Sequence, residues 1–501
     1  MLLLGLAWTA AVAATSCHLM PTPHSLLGQE AASTPGPANS PTPAPATEFV
    51  SPVASRGGVD IGVDVSRPMG EDAVPYGVNG WWTDEDAELW RTRYAELDPQ
   101  IVRLPLMHGA LEPANDDNDS SHVRWAGFHF DRPIPWFGRS VTYRQWFGTL
   151  RDLDMTLMIY VPHLAGWLSA NDDHGLSSTY PPRSLAEYGE FLAATLTYLV
   201  DVVHYPPDRI ILEPINEPDL GCGQDGAVPC FWEDWRMEDL VAVIQTARDA
   251  IDTVDPDIRL VGLSTCCDHG LVEELMRHYD GAALLDGITY HRYERSVELE
   301  ATVGLGRRLA DWGLPVYIGE YGNTRYWSNG QEGALWHAVA LAYFWPAGIA
   351  PIQFSMSELP GMHEGYNQLG LFSDWGDGWT LKPAYYVYAA FFRDLAITTP
   401  VSVSASMPLV AAAGRGDDGT VALWVINTGQ EDRSDVVFRV MGGRGLAGKN
   451  GFRVTVYDII PGDSATGTFV GSGRVPTFTW NVSARTVHVF VVEAISDSRE
   501  R

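Results

Sequence analysis

The amino-acid sequence predicts a parallel (β/α)8 barrel followed by an antiparallel β-sandwich. From about Tyr76 to Phe392, eight short apolar runs alternate with longer stretches whose apolar residues recur every three or four positions, a pattern typical of alternating strands and helices. Eight strand–helix units in roughly 320 residues are the number that closes a barrel. A doubly wound open sheet is the alternative, but the glycine-rich turn expected after its first strand is missing.

Each predicted barrel strand is an apolar run of five to seven residues. The barrel as a whole is predicted to span residues 71–396, with helices in stretches such as DEDAELWRTRYAEL and LAEYGEFLAATLTYLVDVV. In chain order the predicted strands are YGVNG (76–80), IVRLPL (101–106), MTLMIYV (155–161), RIILEPI (209–215), IRLVGL (258–263), LDGITYH (285–291), PVYIGEY (315–321) and IAPIQFS (349–355).

Residues 397–495 are predicted to form the β-sandwich. Apolar and polar residues alternate in VALWVINTG, DVVFRVMGG, FRVTVYDII and TVHVFVVEA, and Gly, Asp and Asn separate these runs, as expected for antiparallel strands joined by turns. The stretch GGVDIGVDVS (57–66) alternates in the same way. We therefore expect residues 57–70 to pair with the sandwich and to join the two ends of the chain.

The N-terminal segment predicts export. Residues 1–17 contain an apolar stretch that ends in small residues, as secretory signals do, although the usual basic start is missing. Cys17 follows Ala14-Thr15-Ser16, which is similar to the acylation site of bacterial lipoproteins, so a membrane tether through lipidated Cys17 and simple secretion are the two alternatives. Residues 18–56 are rich in Pro, Ser, Thr and Ala and predict an extended linker. The folded part is therefore expected outside the cytoplasm, secreted or at the cell surface.

Charge and composition exclude several classes of partner. Sixty-three acidic residues against 33 basic ones give a formal net charge of -30, which repels nucleic acid and anionic membrane surfaces. Eighteen tryptophans and twenty tyrosines offer flat faces that suit sugar rings, although core packing accounts for most of them in any protein. After the N-terminal segment, no run of roughly 18 apolar residues occurs that would predict a membrane span. Neither a metal nor a cofactor is expected.

Four cysteines follow the N-terminal segment, at Cys222, Cys230, Cys266 and Cys267. In an oxidising compartment four thiols allow three pairings, among which the sequence does not choose. We favour Cys222–Cys230 because it closes a short loop. A metal site is the competing interpretation, but CxxC motifs and clustered histidines are missing.

Two glutamates follow predicted strands at matching positions. Asn216-Glu217-Pro218 follows the fourth strand, and Glu320 ends the seventh. Because catalytic groups in such a barrel project from the C-terminal ends of the strands, we expect the two carboxyls to face each other with oxygens roughly 5 Å apart. Retaining cleavage of a glycosidic bond requires this pair, one carboxyl to protonate the leaving oxygen and one carboxylate to attack the anomeric carbon. An isolated Asn-Glu-Pro would be uninformative, since it occurs by chance in many proteins.

With both motifs in barrel order, the sequence resembles the retaining (β/α)8 glycoside hydrolases of clan A. The resemblance covers the predicted barrel and implies that Glu217 is the general acid/base, that Glu320 is the nucleophile and that Asn216 binds the sugar 2-hydroxyl. The trailing sandwich is similar to that of family thirty-nine, which includes β-xylosidases; families fifty-one, thirty and five are alternatives. The implied substrate is a β-linked oligosaccharide or polysaccharide.

Other residues match supporting positions of the clan. Arg103, at the end of the second strand, matches the arginine that keeps the nucleophile ionised, and the other carboxyl then keeps a raised pKa. In Tyr290-His291-Arg292-Tyr293 the resemblance makes His291 a substrate contact and Tyr293 a hydrogen-bond donor to the nucleophile. Against these roles stand a structural ion pair for Arg103 and simple packing for the other two.

The substrate-binding wall is less clearly marked. His163 follows the third strand, where the clan often places a sugar-binding histidine, and Trp81 and Trp82 follow the first strand, where they either stack on sugar or cap the core. At the eighth strand the chain departs from the clan, because Gln353-Phe354-Ser355 stands where many members have a tryptophan. The loop that follows offers two replacements, Trp375 and Trp379.

Two groups of acidic residues are expected to have no catalytic role. Glu213 lies within the fourth strand and should point into the barrel, where an unpaired charge is costly, so we expect an arginine partner for it. The loop NDDND after the second strand, with Asp116, Asp117, Asn118 and Asp119, lacks the spacing of an EF-hand. A solvated loop is expected there, with calcium binding as the alternative.

Two rivals to hydrolysis follow from the same residues. A carbohydrate-binding barrel without catalysis would keep the fold, although it usually loses a glutamate, and a transglycosylase would differ only in how well its acceptor site excludes water. Loops 107–141 and 164–183 are long enough to shape either a pocket or a cleft. The sequence leaves the sugar, the linkage and the oligomeric state open.

Overall fold

The computed structural model of the protein describes residues 60–69, 75–117, 119–136, 138–170, 180–220, 235–294, 299–323, 330–358, 368–442, 451–460, 464–472 and 475–495. The export segment, the linker, Asn118, Cys222 and Cys230 lie outside these residues, as does the favoured Cys222–Cys230 pairing.

Nineteen strands are present in the described residues. In chain order they are Ile61–Pro68 (β1), Gly77–Asn79 (β2), Ile101–Pro105 (β3), Ile134–Trp136 (β4), Arg139–Val141 (β5), Thr156–Tyr160 (β6), Ile210–Glu213 (β7), Arg259–Thr265 (β8), Gly287–Glu294 (β9), Val316–Asn323 (β10), Ile349–Gln353 (β11), Thr399–Ala405 (β12), Leu409–Arg415 (β13), Val421–Asn427 (β14), Arg433–Met441 (β15), Phe452–Asp458 (β16), Ser464–Gly471 (β17), Thr477–Val482 (β18) and Thr486–Ala494 (β19).

Eight of these strands form a closed parallel barrel, in the order β10, β11, β2, β3, β6, β7, β8 and β9. The eight apolar runs of the sequence supply these strands, so the predicted (β/α)8 barrel is confirmed. Strands such as β3 and β7 are buried along their whole length, as expected where helices cover one face and the barrel interior the other. Strands β4 and β5 form a separate hairpin in the loop region after β3.

Helices connect most of the barrel strands. Within the described residues no helix is both long enough and apolar enough to cross a membrane. The α-helices are Ala87–Leu97 (α1), His108–Leu111 (α2), Tyr143–Asp152 (α3), Leu185–Thr197 (α4), Met237–Val254 (α5), Gly270–His278 (α6), Gly281–Leu284 (α7), Leu299–Ala310 (α8), Gln331–Phe344 (α9) and Pro383–Ala390 (α10).

The barrel interior is apolar at one level and polar at the next. An apolar cluster inside the barrel includes Ile101, Met158 and Ile211 from three neighbouring strands. Side chains two positions further along a strand point the same way, and these positions hold Arg103, Tyr160 and Glu213. A layer of polar side chains therefore lies above the apolar layer, closer to the C-terminal mouth of the barrel.

The remaining nine strands form one mostly antiparallel sheet that folds back on itself. Its order is β17, β16, β19, β14, β13, β12, β1, β15 and β18. Although β17 and β18 lie at opposite edges, Phe469 of β17 and Trp480 of β18 stack with ring centroids 6.0 Å apart. Phe438 of β15 likewise lies 4.7 Å from Phe490 of β19. The sheet thus encloses a core of its own and confirms the predicted sandwich-like domain.

The N-terminal strand β1 lies within that sheet. It pairs antiparallel with β12 and parallel with β15, with Val63 opposite Val403 and Val440 respectively. Because β12 begins directly after the barrel, β1 ties the start of the described chain to the barrel's end. On the barrel side, Trp424 of β14 packs edge-on against Phe391 at 5.7 Å, and both side chains are buried.

Candidate active site

Arg103 of β3 is the centre of the polar layer. It is fully buried, and its guanidinium donates to four side chains: Nε to Glu213 at 2.7 Å, Nη1 to Asn79 at 2.9 Å and to Glu320 at 2.6 Å, and Nη2 to Asn216 at 2.6 Å. Burial alone would lower the pKa of Arg103, but the carboxylates of Glu213 and Glu320 raise it above its ordinary value. The guanidinium therefore stays charged and fixes four side chains that lie on or just after three strands, β2, β7 and β10.

Glu213 has the arginine partner that its position predicted. One carboxylate oxygen accepts from Arg103 Nε at 2.7 Å, and the other accepts from Thr289 Oγ1 at 2.9 Å. The side chain is fully buried below the mouth of the barrel. With both oxygens engaged, Glu213 serves as a fixed counter-charge for Arg103.

Asn79 of β2 is a member of the site that the sequence analysis missed. Its Oδ1 accepts from Arg103, and its Nδ2 donates to the carbonyls of Gly319 at 2.9 Å and Gln353 at 3.3 Å. Asn79 thus links the first strand to the seventh and eighth. The available signal was its inward position in YGVNG, but an asparagine between glycines was not distinctive.

Glu320 of β10 is held by two hydrogen bonds to its carboxylate. Arg103 Nη1 donates to Oε1 at 2.6 Å, and Tyr293 Oη donates to Oε2 at 2.6 Å. The pairing of β10 with β9 shifts register between Ile318 and Glu320, and such irregularities redirect side chains beside functional sites. The guanidinium and the phenol thus fix the orientation of the Glu320 carboxyl through both of its oxygens.

Glu217 lies in a different electrostatic environment. Burial, and next the nearby Asp219, raise the pKa of Glu217 to about 8, while Arg103 acts in the opposite direction. Its side chain shares a hydrogen bond of 2.7 Å with His291 Nδ1, and its backbone is left-handed, with φ 46°. At neutral pH the protonated carboxyl is therefore favoured at this position.

The two carboxyls meet in one place. One oxygen of Glu217, one oxygen of Glu320 and one ring nitrogen of His291 all lie within 4.8 Å of one another. Both carboxyls are almost buried, with 4% and 6% of each residue exposed. This upper limit is consistent with the roughly 5 Å between carboxyls in the retaining mechanism.

His291 and Tyr293 lie on β9 next to the glutamates. His291 is fully buried, and burial lowers its pKa, so the imidazole is neutral and orients Glu217 from behind the cavity. Tyr293 is half-buried and reaches Glu320. Asn216 is held through its Oδ1 by Arg103, so its Nδ2 is the side available to a ligand.

The two neighbouring tryptophans have different surroundings. Trp82 packs between Tyr94 at 5.4 Å and Trp146 at 5.5 Å and is 1% exposed, which makes it part of the core. Trp81 instead lies 5.7 Å from Phe354. Of the two interpretations given for this pair, core packing fits Trp82, and only Trp81 lies beside the residues of the mouth.

Phe354, directly after the eighth barrel strand β11, lies between Trp81 and Tyr293. Phe354 lies 6.1 Å from Tyr293 in an edge-on arrangement, so Trp81, Phe354 and Tyr293 form an aromatic row that leads to Glu320. Trp375 and Trp379 pack on each other at 6.0 Å, and Trp379 packs on a residue of α1. Trp81 and Phe354, rather than that pair, thus occupy the place next to the site.

His163 follows β6 and is 5% exposed. Burial lowers its pKa to about 4, so the side chain is neutral over the range in which most enzymes work. A neutral imidazole can both donate and accept hydrogen bonds. Its predicted contact with sugar stays a prediction.

Two groups of side chains in the described residues are close enough to contact a small cation. The first consists of Glu217, His291 and Glu320, which already bond to one another or to Arg103 and Tyr293. The second consists of Asp219, Cys266 and Cys267. Because Cys267 is disulfide-bonded, that group lacks the two thiolates that a zinc site would use.

The acidic loop after β3 is partly packed against α4. Asp116 accepts from the backbone N–H of Asp117 at 2.7 Å and of Arg124 at 2.6 Å. Near it, Glu112 and Glu190 are 2% and 5% exposed. Burial, followed by repulsion from Asp116, raises the pKa of Glu112 to about 9 and that of Glu190 to about 8.

These raised pKa values predict a pH-dependent stability. A carboxyl whose pKa is higher in the folded than in the unfolded state stabilises the fold less as pH rises, here from about 4.5 to about 9. Glu190→Gln should raise the Tm at pH 8 by about 2–4 °C and leave it nearly unchanged at pH 5. Thermal unfolding at both values checks this. Stabilisation of the wild type, but not the variant, by added Ca²⁺ would instead support the calcium alternative.

No protein-family model and no curated protein matches the sequence. Solved structures do match the fold. A glucosidase from Croceicoccus marinus has a TM-score of 0.64 at 14% identity and covers 88% of this chain and 100% of its own. A monomeric β-xylosidase from Caulobacter crescentus CB15 gives 0.61 at 16%, covering 88% and 100%. A GH39 enzyme from Xanthomonas axonopodis pv. citri gives 0.60 at 14%, covering 88% and 98%. The chain therefore shares the barrel-and-sandwich fold of these glycosidases, one of which is a GH39 enzyme, as its motifs predicted.

Proposed function

We propose that the protein is a retaining glycoside hydrolase in which Glu320 is the nucleophile and Glu217 is the general acid/base. The observation that carries the proposal is the pair of buried carboxyls within 4.8 Å of each other in opposite environments. Glu320 accepts hydrogen bonds from Arg103 and Tyr293 at its two oxygens, whereas burial and Asp219 raise the pKa of Glu217 to about 8. Different surroundings of this kind assign acid and nucleophile roles to two neighbouring carboxyls.

In the first step a carboxylate oxygen of Glu320 attacks the anomeric carbon while Glu217 gives its proton to the glycosidic oxygen, and the carbon–oxygen bond to the leaving group breaks. In the second step the Glu217 carboxylate takes a proton from water, whose oxygen attacks the same carbon and releases Glu320. Asn216, which Arg103 orients, donates in this mechanism from its Nδ2 to the 2-hydroxyl of the sugar. His291 and Tyr293 keep the two carboxyls in position.

The substrate we propose is a β-linked oligosaccharide or polysaccharide built from neutral sugars such as xylose or glucose. Two of the similar structures are a glucosidase and a β-xylosidase. The aromatic row of Trp81, Phe354 and Tyr293 beside the nucleophile suits the C–H faces of a β-configured ring. A panel of aryl β-xylosides, β-glucosides and β-mannosides, with xylan, glucan and mannan, identifies the preferred sugar.

A covalent trap tests the mechanism. A 2-deoxy-2-fluoro β-glycoside of the preferred sugar with a good leaving group should inactivate the enzyme with one label on the peptide that contains Glu320, as seen by mass spectrometry. Early reaction products should keep the β configuration in proton NMR. Labelling elsewhere, or an inverted product, would contradict the assignment. Binding without turnover would favour the non-catalytic barrel, and products longer than the donor would favour a transglycosylase.

The pH dependence of hydrolysis provides an independent prediction. Because Glu217 must be protonated to cleave the glycosidic bond and its pKa is raised to about 8, kcat/KM should fall as pH rises through about 8. The pH profile of kcat/KM on an aryl glycoside checks this limb. In Glu217→Ala the limb should disappear, and substrates with poor leaving groups should lose about 10²–10⁴-fold in rate. A limb unaffected by this replacement would mean that another group titrates.

We also propose that the enzyme acts outside the cytoplasm. The disulfide at Cys267 supports this, because disulfides persist in oxidising compartments. Fusing residues 1–56 to a reporter that is active only after export tests the N-terminal segment, and Cys17→Ser distinguishes a lipid anchor from secretion. Only loss of membrane association in that variant would support the anchor.

A further inference from the structure

The turn that carries Glu217 is fastened to the end of β8 by one carboxylate. Asp219 accepts three backbone N–H groups from consecutive residues, with Cys266 at 2.9 Å, Cys267 at 2.7 Å and Asp268 at 2.5 Å. Successive N–H groups that converge on one anion form a nest that favours negative charge. The nest thus holds the carboxylate of Asp219 in a fixed position at the end of β8.

The same turn has further hydrogen bonds to β8. The N–H of Glu217 donates to the carbonyl of Ser264 at 3.2 Å, and the N–H of Leu220 donates back to the carbonyl of Glu217 at 3.1 Å. These bonds hold Glu217 in its left-handed backbone conformation, which is costly for a residue with a side chain. Asp219 therefore secures a strained turn at the residue that must give up a proton.

Asp219 acts on Glu217 among several charged and titratable neighbours. His291 bonds the Glu217 carboxyl, Arg103 favours its ionised form, and Glu213 and Asp219 oppose ionisation. After burial, Asp219 is the largest cause of the raised pKa of Glu217. The other titratable groups that face this carboxyl are Glu320, Tyr160 and the Cys266 thiol.

We propose that Asp219 is a positioning residue that holds the Glu217 turn and, through its fixed charge, keeps Glu217 protonated in the free enzyme. This inference rests on the proposed function, since it assigns a partner to the proposed acid. Asp219 itself touches neither substrate nor the reacting atoms. Its effect is to extend the pH range in which the acid is ready to donate.

The test compares two variants, each of which replaces one carboxylate of this region with a neutral amide. Asp219→Asn removes the fixed charge, whereas Asp268→Asn removes an exposed charge from the neighbouring segment, where the Asp268 side chain accepts from the N–H of Gly270 at 2.9 Å. The basic limb of the kcat/KM profile should move down by on the order of one pH unit in Asp219→Asn. It should stay in place in Asp268→Asn. In Asp219→Glu, which keeps the charge, the basic limb should lie closer to its wild-type position than in Asp219→Asn.

A direct titration separates this inference from the proposed function. The pKa of Glu217, followed by NMR of ¹³C-carboxyl-labelled glutamate against Glu217→Gln, needs no turnover. A lower value in Asp219→Asn supports the inference even if no substrate is hydrolysed, and an unchanged value overturns it even if the wild type is active. A uniform loss of kcat with no movement of limb or pKa would leave only a structural role and would overturn it as well. If Asp219→Asn folds poorly, Asp219→Ser permits the same comparison.

Discussion

Replacing Glu320 with alanine is expected to reduce kcat on an activated aryl glycoside by on the order of 10⁴-fold or more, since this removes the atom that attacks the anomeric carbon. The site should otherwise persist, because Arg103 keeps its bonds to Glu213, Asn79 and Asn216. Added azide should enter the vacated space and attack from the same face, which gives a glycosyl azide of inverted configuration. Initial rates and NMR of the azide product measure both effects.

The matched control is Glu300→Ala, which removes an exposed glutamate from α8 and should leave kcat unchanged. Glu217→Ala is the informative contrast, because the nucleophile is then intact and azide should replace water in the second step. That product should have retained configuration. Normal turnover by the Glu320 variant, or the same azide product from both variants, would refute the assignment of the two roles.

Replacing Arg103 with methionine is expected to cause the largest loss of stability of any single substitution at the site. Glu213 and Glu320 would both lose their fully buried partner. Glu213 is itself 0% exposed, and Thr289 would be its remaining hydrogen-bond donor. Removing one partner of a buried ion pair costs about 3–5 kcal/mol in the free energy of unfolding. Activity should be lost together with stability, because Arg103 also donates to Glu320 and Asn216. Urea unfolding and kcat measure the two losses.

Two variants separate the effect of breaking the buried ion pair from the effect of removing any arginine. Arg91 pairs with Asp152 at 3.4 Å with both side chains about two-fifths exposed, so Arg91→Met should change the free energy of unfolding by no more than about 1 kcal/mol. Arg103→Met combined with Glu213→Leu removes both buried charges and should regain much of the stability while activity stays absent. Equal stability of the wild type and Arg103→Met would show that the network contributes nothing to the fold.

The barrel and the position of its two glutamates were predictable because they depend on local pattern. Apolar runs of the right length identify parallel strands, and a polar residue at the end of such a run falls at the mouth of the barrel. Glu217 and Glu320 meet this condition without knowledge of any contact. Trp81 and Trp82 show a limit of the approach, because adjacent residues on an extended chain point in opposite directions, and only Trp81 lies beside the site.

Asn79 and Asp219 were missed because their importance lies in partners that are distant in sequence. Asn79 bonds to a carbonyl 240 positions away and to another 274 positions away, and Asp219 accepts from N–H groups 47 to 49 positions away. Neither residue stands out by its type or by the pattern around it. Hydrogen bonds of this range form only when the barrel closes, so no local signal announces them.

The sequence by itself determined the order of strands and helices, the sandwich that follows them and the presence of two glutamates at the ends of the fourth and seventh strands. Periodicity carries this information because burial of apolar surface acts on every residue in the same way. Only the tertiary structure decided that Glu320 faces the cavity, since strict alternation from the inward-facing Tyr317 would turn it away, and the register shift after Ile318 reverses this. It also decided the raised pKa of Glu217, because pKa values depend on burial and on charges that folding brings together.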